Sequence, residues 1–157
     1  MNFPITKFSV HGLLGNKNYT LHIKDKATII VGPNGSGKSN LLNIFYYFIS
    51  KQWLKLYEFD FEKIEIEFNN ESAILVKDEI ASFLEYFPEN SKIRDIYKFL
   101  EKTNNLSEFI SSEKLNFDFR KYISEQVSCS TLLIENSHKK IKDLYFQDEK
   151  IVKITKI

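Results

Sequence analysis

The sequence is poor in the residues that crosslink or interrupt a chain. It holds a single cysteine, Cys129, together with 5 glycines and 3 prolines in 157 residues. One cysteine excludes an internal disulfide, which suits a reducing cytoplasm, and the flanking Ser128 and Ser130 supply neither a base nor a second thiol. The shortage of glycine and proline predicts that most of the chain is regular structure joined by short polar turns.

Long apolar runs and an excess of charge of one sign are also absent. No run approaches the roughly 20 apolar residues that a membrane-spanning helix needs, and residues 1–4 do not resemble the start of a signal peptide. The net charge is +1, which argues against a dominant nucleic-acid-binding surface. We therefore expect a cytoplasmic protein with no membrane partner, any contact with nucleic acid being indirect, and one domain over residues 1–157.

The glycines that do occur are concentrated in one segment. Residues 32–39 are Gly-Pro-Asn-Gly-Ser-Gly-Lys-Ser, a complete match to the phosphate-binding loop G-x-x-x-x-G-K-S/T. The apolar run at residues 27–31 predicts a buried parallel strand before the loop. Apolar residues at helical spacing from Leu41 to Ile49 predict a helix after it. A strand followed by the loop and a helix is the context that this motif requires.

Each residue type in the loop has a role in binding phosphate. Glycine permits positive φ and a close approach of phosphate oxygens, and the helix that follows contributes unpaired amides and the positive end of its dipole. Lys38 is expected to reach the β- and γ-phosphates of ATP, and the Ser39 hydroxyl to ligate Mg²⁺ as the metal ligand. The predicted nucleotide-binding residues are Gly32, Pro33, Asn34, Gly35, Ser36, Gly37, Lys38, Ser39 and Asn40.

The segment at residues 32–42 resembles the loop of ABC-type ATPases that are not transporters: the SMC and RecF proteins and the heads of overcoming-lysogenization-defect nucleases and related anti-phage systems. The resemblance implies an α/β P-loop NTPase fold with a mixed sheet, an antiparallel β subdomain and a helical segment. Strands predicted at residues 5–10 and 19–23 and a hairpin at 63–77 agree with it. Leu14 stands where that family often has an arginine.

The resemblance also implies how such a domain works. In these proteins ATP held between two heads drives their association, and hydrolysis releases them. The implied partners are therefore ATP, a second head in a homodimer, or an effector protein. The implied setting is DNA maintenance or anti-phage defence.

Two elements that hydrolysis needs in that family have no clean counterpart. Residues 74–79 imitate the Walker B strand, but Lys77 interrupts the apolar run and a hairpin explains it better, which leaves Asp78 and Glu79 as weak catalytic candidates. Residues 131–135 predict a second buried strand, ending in Glu135. Residues 110–114 resemble the signature loop only faintly. The catalytic residues are therefore left unassigned.

The predicted strand at residues 131–135 raises a further alternative. In ABC-type heads a late strand ends in a switch histidine that contacts the γ-phosphate, and His138 follows this strand at the corresponding place. The competing interpretation is that residues 138–142 form an exposed charged face.

The sequence leaves three functions open for the chain. The chain is an ATPase head or a degenerate head that binds nucleotide without hydrolysis. A small P-loop kinase fits less well, because a kinase needs arginines to hold the transferred phosphate, and Arg94 and Arg120 are the only arginines in the sequence.

Aromatic side chains leave the base-binding site unassigned. Phe45, Phe48 and Trp53 could stack on a base, but their spacing favours the core of the domain. Candidates for the adenine contact on the first two strands are Phe8, His11 and Tyr19. The remaining apolar spacing predicts helices near residues 80–87, 93–100, 106–110 and 119–127, a loop at 104–105 and a closing strand at 150–157.

Overall fold

A computed structural model describes residues 5–24, 28, 30–31, 33, 35–68 and 71–147. The chain divides into two compact units, the first ending at Phe83 and the second beginning at Leu84. Each unit has its own buried core. The single domain expected from chain length stays a prediction.

The first unit is built on a four-stranded sheet. Its strand order is β2-β1-β3-β4, and all three neighbouring pairs are antiparallel. The two strands expected before the loop and the later hairpin are therefore confirmed. The strands are β1 Ile5–Leu13, β2 Lys17–His22, β3 Lys63–Phe68 and β4 Glu71–Val76.

Three helices complete the first unit: α1 Lys38–Ile49, α2 Trp53–Tyr57 and α3 Lys77–Leu84, whose last residue is counted with the second unit. Phe8 of β1 is fully buried, and its ring centroid lies 5.0 Å from that of Phe45 and 5.5 Å from that of Phe48. Phe48 in turn contacts Trp53 at 6.0 Å. These aromatic contacts fix α1 against the sheet, so Phe48 and Trp53 belong to the core, as their spacing predicted.

The strand expected before the loop is not found. Thr28, Ile30 and Val31, the described residues of that run, lie outside any strand, and Val31 is 86% exposed. A buried parallel strand needs parallel neighbours to pair with its backbone and helices to cover both of its faces. The described strands are all antiparallel, so neither that strand nor the mixed sheet appears in the described part of the chain.

The second unit is helical, and the helices predicted between residues 93 and 127 are confirmed. The side chains at its centre are fully buried, among them Tyr97, Phe109, Ile134 and Ile141. Phe87 stacks on Tyr97 with 4.3 Å between ring centroids. The helices are α4 Lys92–Lys102, α5 Leu106–Ser111, α6 Phe117–Val127 and α7 Thr131–Gln147.

The strand predicted at residues 131–135 is wrong, because these residues form the first turns of α7. A short segment with three consecutive apolar residues, here Leu132 to Ile134, fits a buried strand or a buried helix equally well. Here the burial of Ile134, Ile141 and Tyr145 follows a helical period. The Ser130 hydroxyl also accepts the Leu133 N–H at 3.2 Å, which caps the helix. The strand predicted at residues 150–157 lies outside the described residues.

Candidate functional site

The phosphate-binding motif forms a tight turn that leads directly into α1. Gly35 and Gly37 have φ of 76° and 86°, the left-handed values that glycine adopts without strain. The Ser36 N–H donates to the Pro33 carbonyl at 3.3 Å and closes the turn. Gly32 and Asn34 of the predicted site lie outside the described residues. The described part of the loop therefore has the positive-φ backbone that the motif predicted.

Helix α1 begins at Lys38, with Gly37 as its N-cap residue. Gly37 carries no side chain to cap the helix, and the first turn holds no acidic residue. The Leu41 N–H donates to the Gly37 carbonyl at 3.0 Å, so the amides of Lys38, Ser39 and Asn40 precede this first helical hydrogen bond. Amides in the first turn of a helix lie at the positive end of its dipole. This helix end is therefore suited to an anion.

The ammonium group of Lys38 lies on the same loop. Its Nζ donates to the Pro33 carbonyl at 2.5 Å and to the Ser36 hydroxyl at 3.2 Å. The Ser39 side chain follows it on α1 and is exposed. Of the predicted site, the structure thus brings together a cation, a hydroxyl and a helix N-terminus. The ammonium and the helix N-terminus suit the negative charge of a phosphate chain, and the hydroxyl oxygen can ligate the metal ion that accompanies it.

Tyr19 of β2 also reaches the loop. Its hydroxyl donates to the Ser36 carbonyl at 2.5 Å. Of the three residues considered for an adenine contact, Phe8 is a core residue, and Nε2 of His11 lies 3.4 Å from a Glu65 carboxylate oxygen. The contact between Tyr19 and the loop was missed, because alternation along a strand predicts which face a side chain takes and not which distant backbone atom it meets.

The chain matches the family model described as "AAA domain, putative AbiEii toxin, Type IV TA system" over residues 27–153. The chain belongs to this family. Membership of this AAA family makes the chain a P-loop ATPase-like domain, which agrees with the general class of the predicted fold. No curated protein matches the chain. In the described residues, no helix is both long enough and apolar enough to cross a membrane.

The three candidate catalytic acids of this AAA domain lie in helices and not at the end of a strand. Strand β4 ends at Val76, and Asp78 and Glu79 lie in the first turn of α3. Oε2 of Glu79 accepts the Val76 N–H at 3.2 Å, which is the backward half of a capping box. Glu135 lies in α7 and pairs with Arg120. The hairpin interpretation of residues 74–79 is therefore confirmed, and the strand end at Glu135 is wrong.

His138 is buried in α7 and does not follow a strand. Its ring meets the edge of Phe109 at 5.0 Å between centroids. Burial lowers the pKa of His138, with a further contribution from the nearby Lys142 charge, while backbone hydrogen bonds at Ser112 and Phe109 act in the opposite direction. The strand that a switch histidine would require is absent from this place, and His138 serves the packing of the helical unit.

The faint resemblance to a signature loop at residues 110–114 has a structural explanation. Helix α5 ends at Ser111, and the Ser112 hydroxyl donates to the Glu108 carbonyl at 2.7 Å. These serines close a helix instead of forming a free loop. No cluster of three or more His, Cys, Asp or Glu side chains suited to a metal ion occurs among the residues that the structure describes. A metal at the loop would therefore rely on Ser39 and on the ligand's own phosphates.

Proposed function

We propose that this AAA domain binds ATP with Mg²⁺ through residues 32–40. The observation that carries the proposal is that the Lys38 ammonium and the N-terminus of α1, whose N-cap residue Gly37 has no side chain, lie on one loop. A phosphate chain can accept hydrogen bonds from the amides at the start of α1, while Lys38 offers a positive charge within the same short segment. Each group alone is common, and their combination in a glycine-containing turn is what favours a nucleotide.

The roles follow from the chemistry of each group. Lys38 would exchange its contacts with the Pro33 carbonyl and the Ser36 hydroxyl for the β- and γ-phosphates, which are far stronger acceptors. The Ser39 hydroxyl, exposed at the second helical position, would ligate Mg²⁺. Because the phosphate oxygens supply negatively charged ligands for the metal, no acidic cluster is needed to bind the nucleotide itself.

The setting that we propose is an ATPase head of the SMC, RecF and overcoming-lysogenization-defect class, working in anti-phage defence or DNA maintenance. The family description names a toxin of a type IV toxin–antitoxin system, which supports a defensive role. In such a setting ATP would gate the association of two copies of the head, or of the head with an effector protein.

A second candidate, binding without turnover, is favoured by where the acids lie. Hydrolysis requires carboxylates that hold Mg²⁺ and orient water. Glu79 instead caps α3, and Glu135 pairs with Arg120. The contacts of the two arginines weaken the kinase alternative. Nη1 of Arg94 donates to the Phe87 carbonyl at 2.7 Å, and Arg120 pairs with Glu135, so both arginines have structural partners.

Thermal unfolding with and without nucleotide tests the proposal. A ligand that binds only the folded state stabilises it by about 2.7 kcal/mol at a hundredfold excess over Kd. We expect Mg-ATP and Mg-ADP to raise Tm, and Lys38→Ala to abolish the rise while changing the ligand-free Tm little. Lys139→Ala, at an exposed position of α7, is the matched control. A wild-type Tm that ignores millimolar nucleotide contradicts the proposal.

Turnover separates the two candidates. If the domain binds without hydrolysis, phosphate release by the pure protein stays near background. Robust release would favour an ATPase, and the pair Asp78→Asn with Glu79→Gln, compared with Glu135→Gln, would then identify the acid. Release that appears only with a second polypeptide would show that the partner supplies the missing groups.

A further inference from the structure

We propose that Tyr19 is a positioning residue that holds the phosphate loop in its anion-binding conformation. The inference rests on the proposed nucleotide site and adds to it a residue outside the motif. The phenol hydroxyl donates to the Ser36 carbonyl at 2.5 Å, a contact between residues 17 positions apart in sequence. This hydrogen bond connects a side chain of the sheet to the backbone of the loop.

The hydrogen bond from Tyr19 determines the direction in which the Gly37 N–H of the loop points. The Ser36 carbonyl and the Gly37 N–H belong to one peptide unit, and in a planar trans peptide they point in opposite directions. With the carbonyl held toward Tyr19, the Gly37 N–H faces away from the phenol. Gly37 is also the N-cap residue of α1, with φ of 86°. The hydrogen bond therefore sets the orientation of the peptide unit that leads into the helix.

Close packing supports the same assignment. A Cβ on Gly37 would lie 2.8 Å from the Tyr19 hydroxyl oxygen and 3.1 Å from Cζ, closer than side-chain atoms normally approach. A Cβ on Gly35, which has a similar φ of 76°, would meet nothing within 4 Å. The two glycines thus differ: Gly35 supplies only conformational freedom, whereas Gly37 also leaves the space that the phenol fills.

Tyr19 has a rigid support for this task. It lies on β2 opposite Val10 of β1, and both Val10 and the nearby Leu21 are buried. A side chain on a paired strand is held more tightly than one on a loop. With its hydroxyl on Ser36 and its ring atoms against Gly37, the phenol is engaged by the loop itself, which favours a positioning role over stacking on the base.

Tyr19→Phe tests the role, because it keeps the ring and removes only the hydroxyl. Amide hydrogen exchange of residues 35–40 is measured without ligand, and Kd is measured for Mg-ADP and for Mg-pyrophosphate. We expect faster exchange in the loop and a roughly three- to tenfold weaker Kd for both ligands. Tyr86→Phe, an exposed tyrosine of the second unit, is the matched control and should change neither.

Other results overturn the inference in distinguishable ways. Unchanged exchange and unchanged affinities would show that the hydroxyl holds nothing. A loss for Mg-ADP without a loss for Mg-pyrophosphate would place Tyr19 on the base instead of the loop. If the wild type binds neither ligand, the proposed function fails, while the exchange rates still decide whether Tyr19 holds the loop.

Discussion

Helices α1 and α6 begin in opposite chemical settings. In α6 the Asn116 side chain accepts the Phe119 N–H at 2.7 Å, and Asp118 lies in the first turn. In α1 the capping position is Gly37, and the first turn carries Lys38 and no acid. Helix α6 thus has a capping oxygen and an acid of its own, whereas α1 has neither a capping side chain at Gly37 nor an acid in its first turn. The start of α1 is thus suited to a ligand at some cost to folding stability.

The other long helices behave like α6. Among described helices of eight or more residues, α3, α4, α6 and α7 each have a side-chain oxygen that accepts a backbone amide at the start, whereas Gly37, the N-cap residue of α1, has no side chain. Ser91 accepts the Arg94 N–H, Ser130 accepts the Leu133 N–H, and Glu79 accepts the Val76 N–H. The contrast is therefore specific to the helix that follows the phosphate-binding motif.

The largest expected effect comes from giving α1 the acid that it lacks. Asn40→Asp adds a negative charge in the first turn with almost no change of shape. We expect about 0.5 kcal/mol of added stability without ligand, because the charge complements the helix dipole. We also expect Mg-ATP affinity to fall more than tenfold, because the carboxylate repels the phosphates. Chemical unfolding and titration calorimetry measure the two effects.

Asn43→Asp is the matched control for that substitution. It makes the same change at an exposed position further along α1, beyond the first turn, where the dipole effect has decayed. A similar loss of affinity in both variants would mean that net charge, and not the start of α1, controls binding.

A smaller effect is expected where the helix already carries its own cap. Asn116→Ala removes the acceptor for the Phe119 amide, and losses of this kind cost about 1 kcal/mol. The free energy of unfolding in urea measures it, and nucleotide affinity should not change. In Asn105→Ala the substituted residue precedes α5 without making a capping hydrogen bond, so the loss should be smaller. Equal losses would show that the Asn116 cap contributes nothing specific.

Local signals predicted the start of α1 and the four antiparallel strands of the described sheet. A glycine-containing motif followed by apolar residues at helical spacing specifies a turn and a helix through local backbone geometry alone. Alternation likewise predicted β2 and β3, because the period of a strand is 2 and can be seen without knowing which strand is its partner. The described residues of the predicted site between Pro33 and Asn40 lie in one turn and the start of one helix, because local backbone geometry also determines that arrangement.

The failures came where distant partners decide the structure. Residues 131–135 and the run at 27–31 look alike as short apolar segments, and neither is a strand in its described residues. Packing of α7 against α5 and α6, together with the Ser130 cap, favours a helix at residues 131–135. The bond from Tyr19 to Ser36 has no local signal either, since it depends on where β2 lies relative to the loop.

The smallest expected effect concerns α7. In contrast to the start of α1, which is suited to a ligand, the buried polar side chain of His138 in α7 is expected to affect only the stability of the fold. Burial lowers the pKa of His138, so the folded state holds this proton less tightly than the unfolded chain, where the pKa is about 6.5. The stability that the neutral ring contributes is complete above that value and is lost as pH falls toward the lower folded-state pKa. We expect the free energy of unfolding to decrease below about pH 6.5 in the wild type and to decrease less in His138→Gln. His22→Gln, at an exposed position of β2, is the matched control for losing one imidazole. Urea unfolding between pH 8 and 5 measures all three proteins, and equal slopes would show that burial of His138 is not the cause.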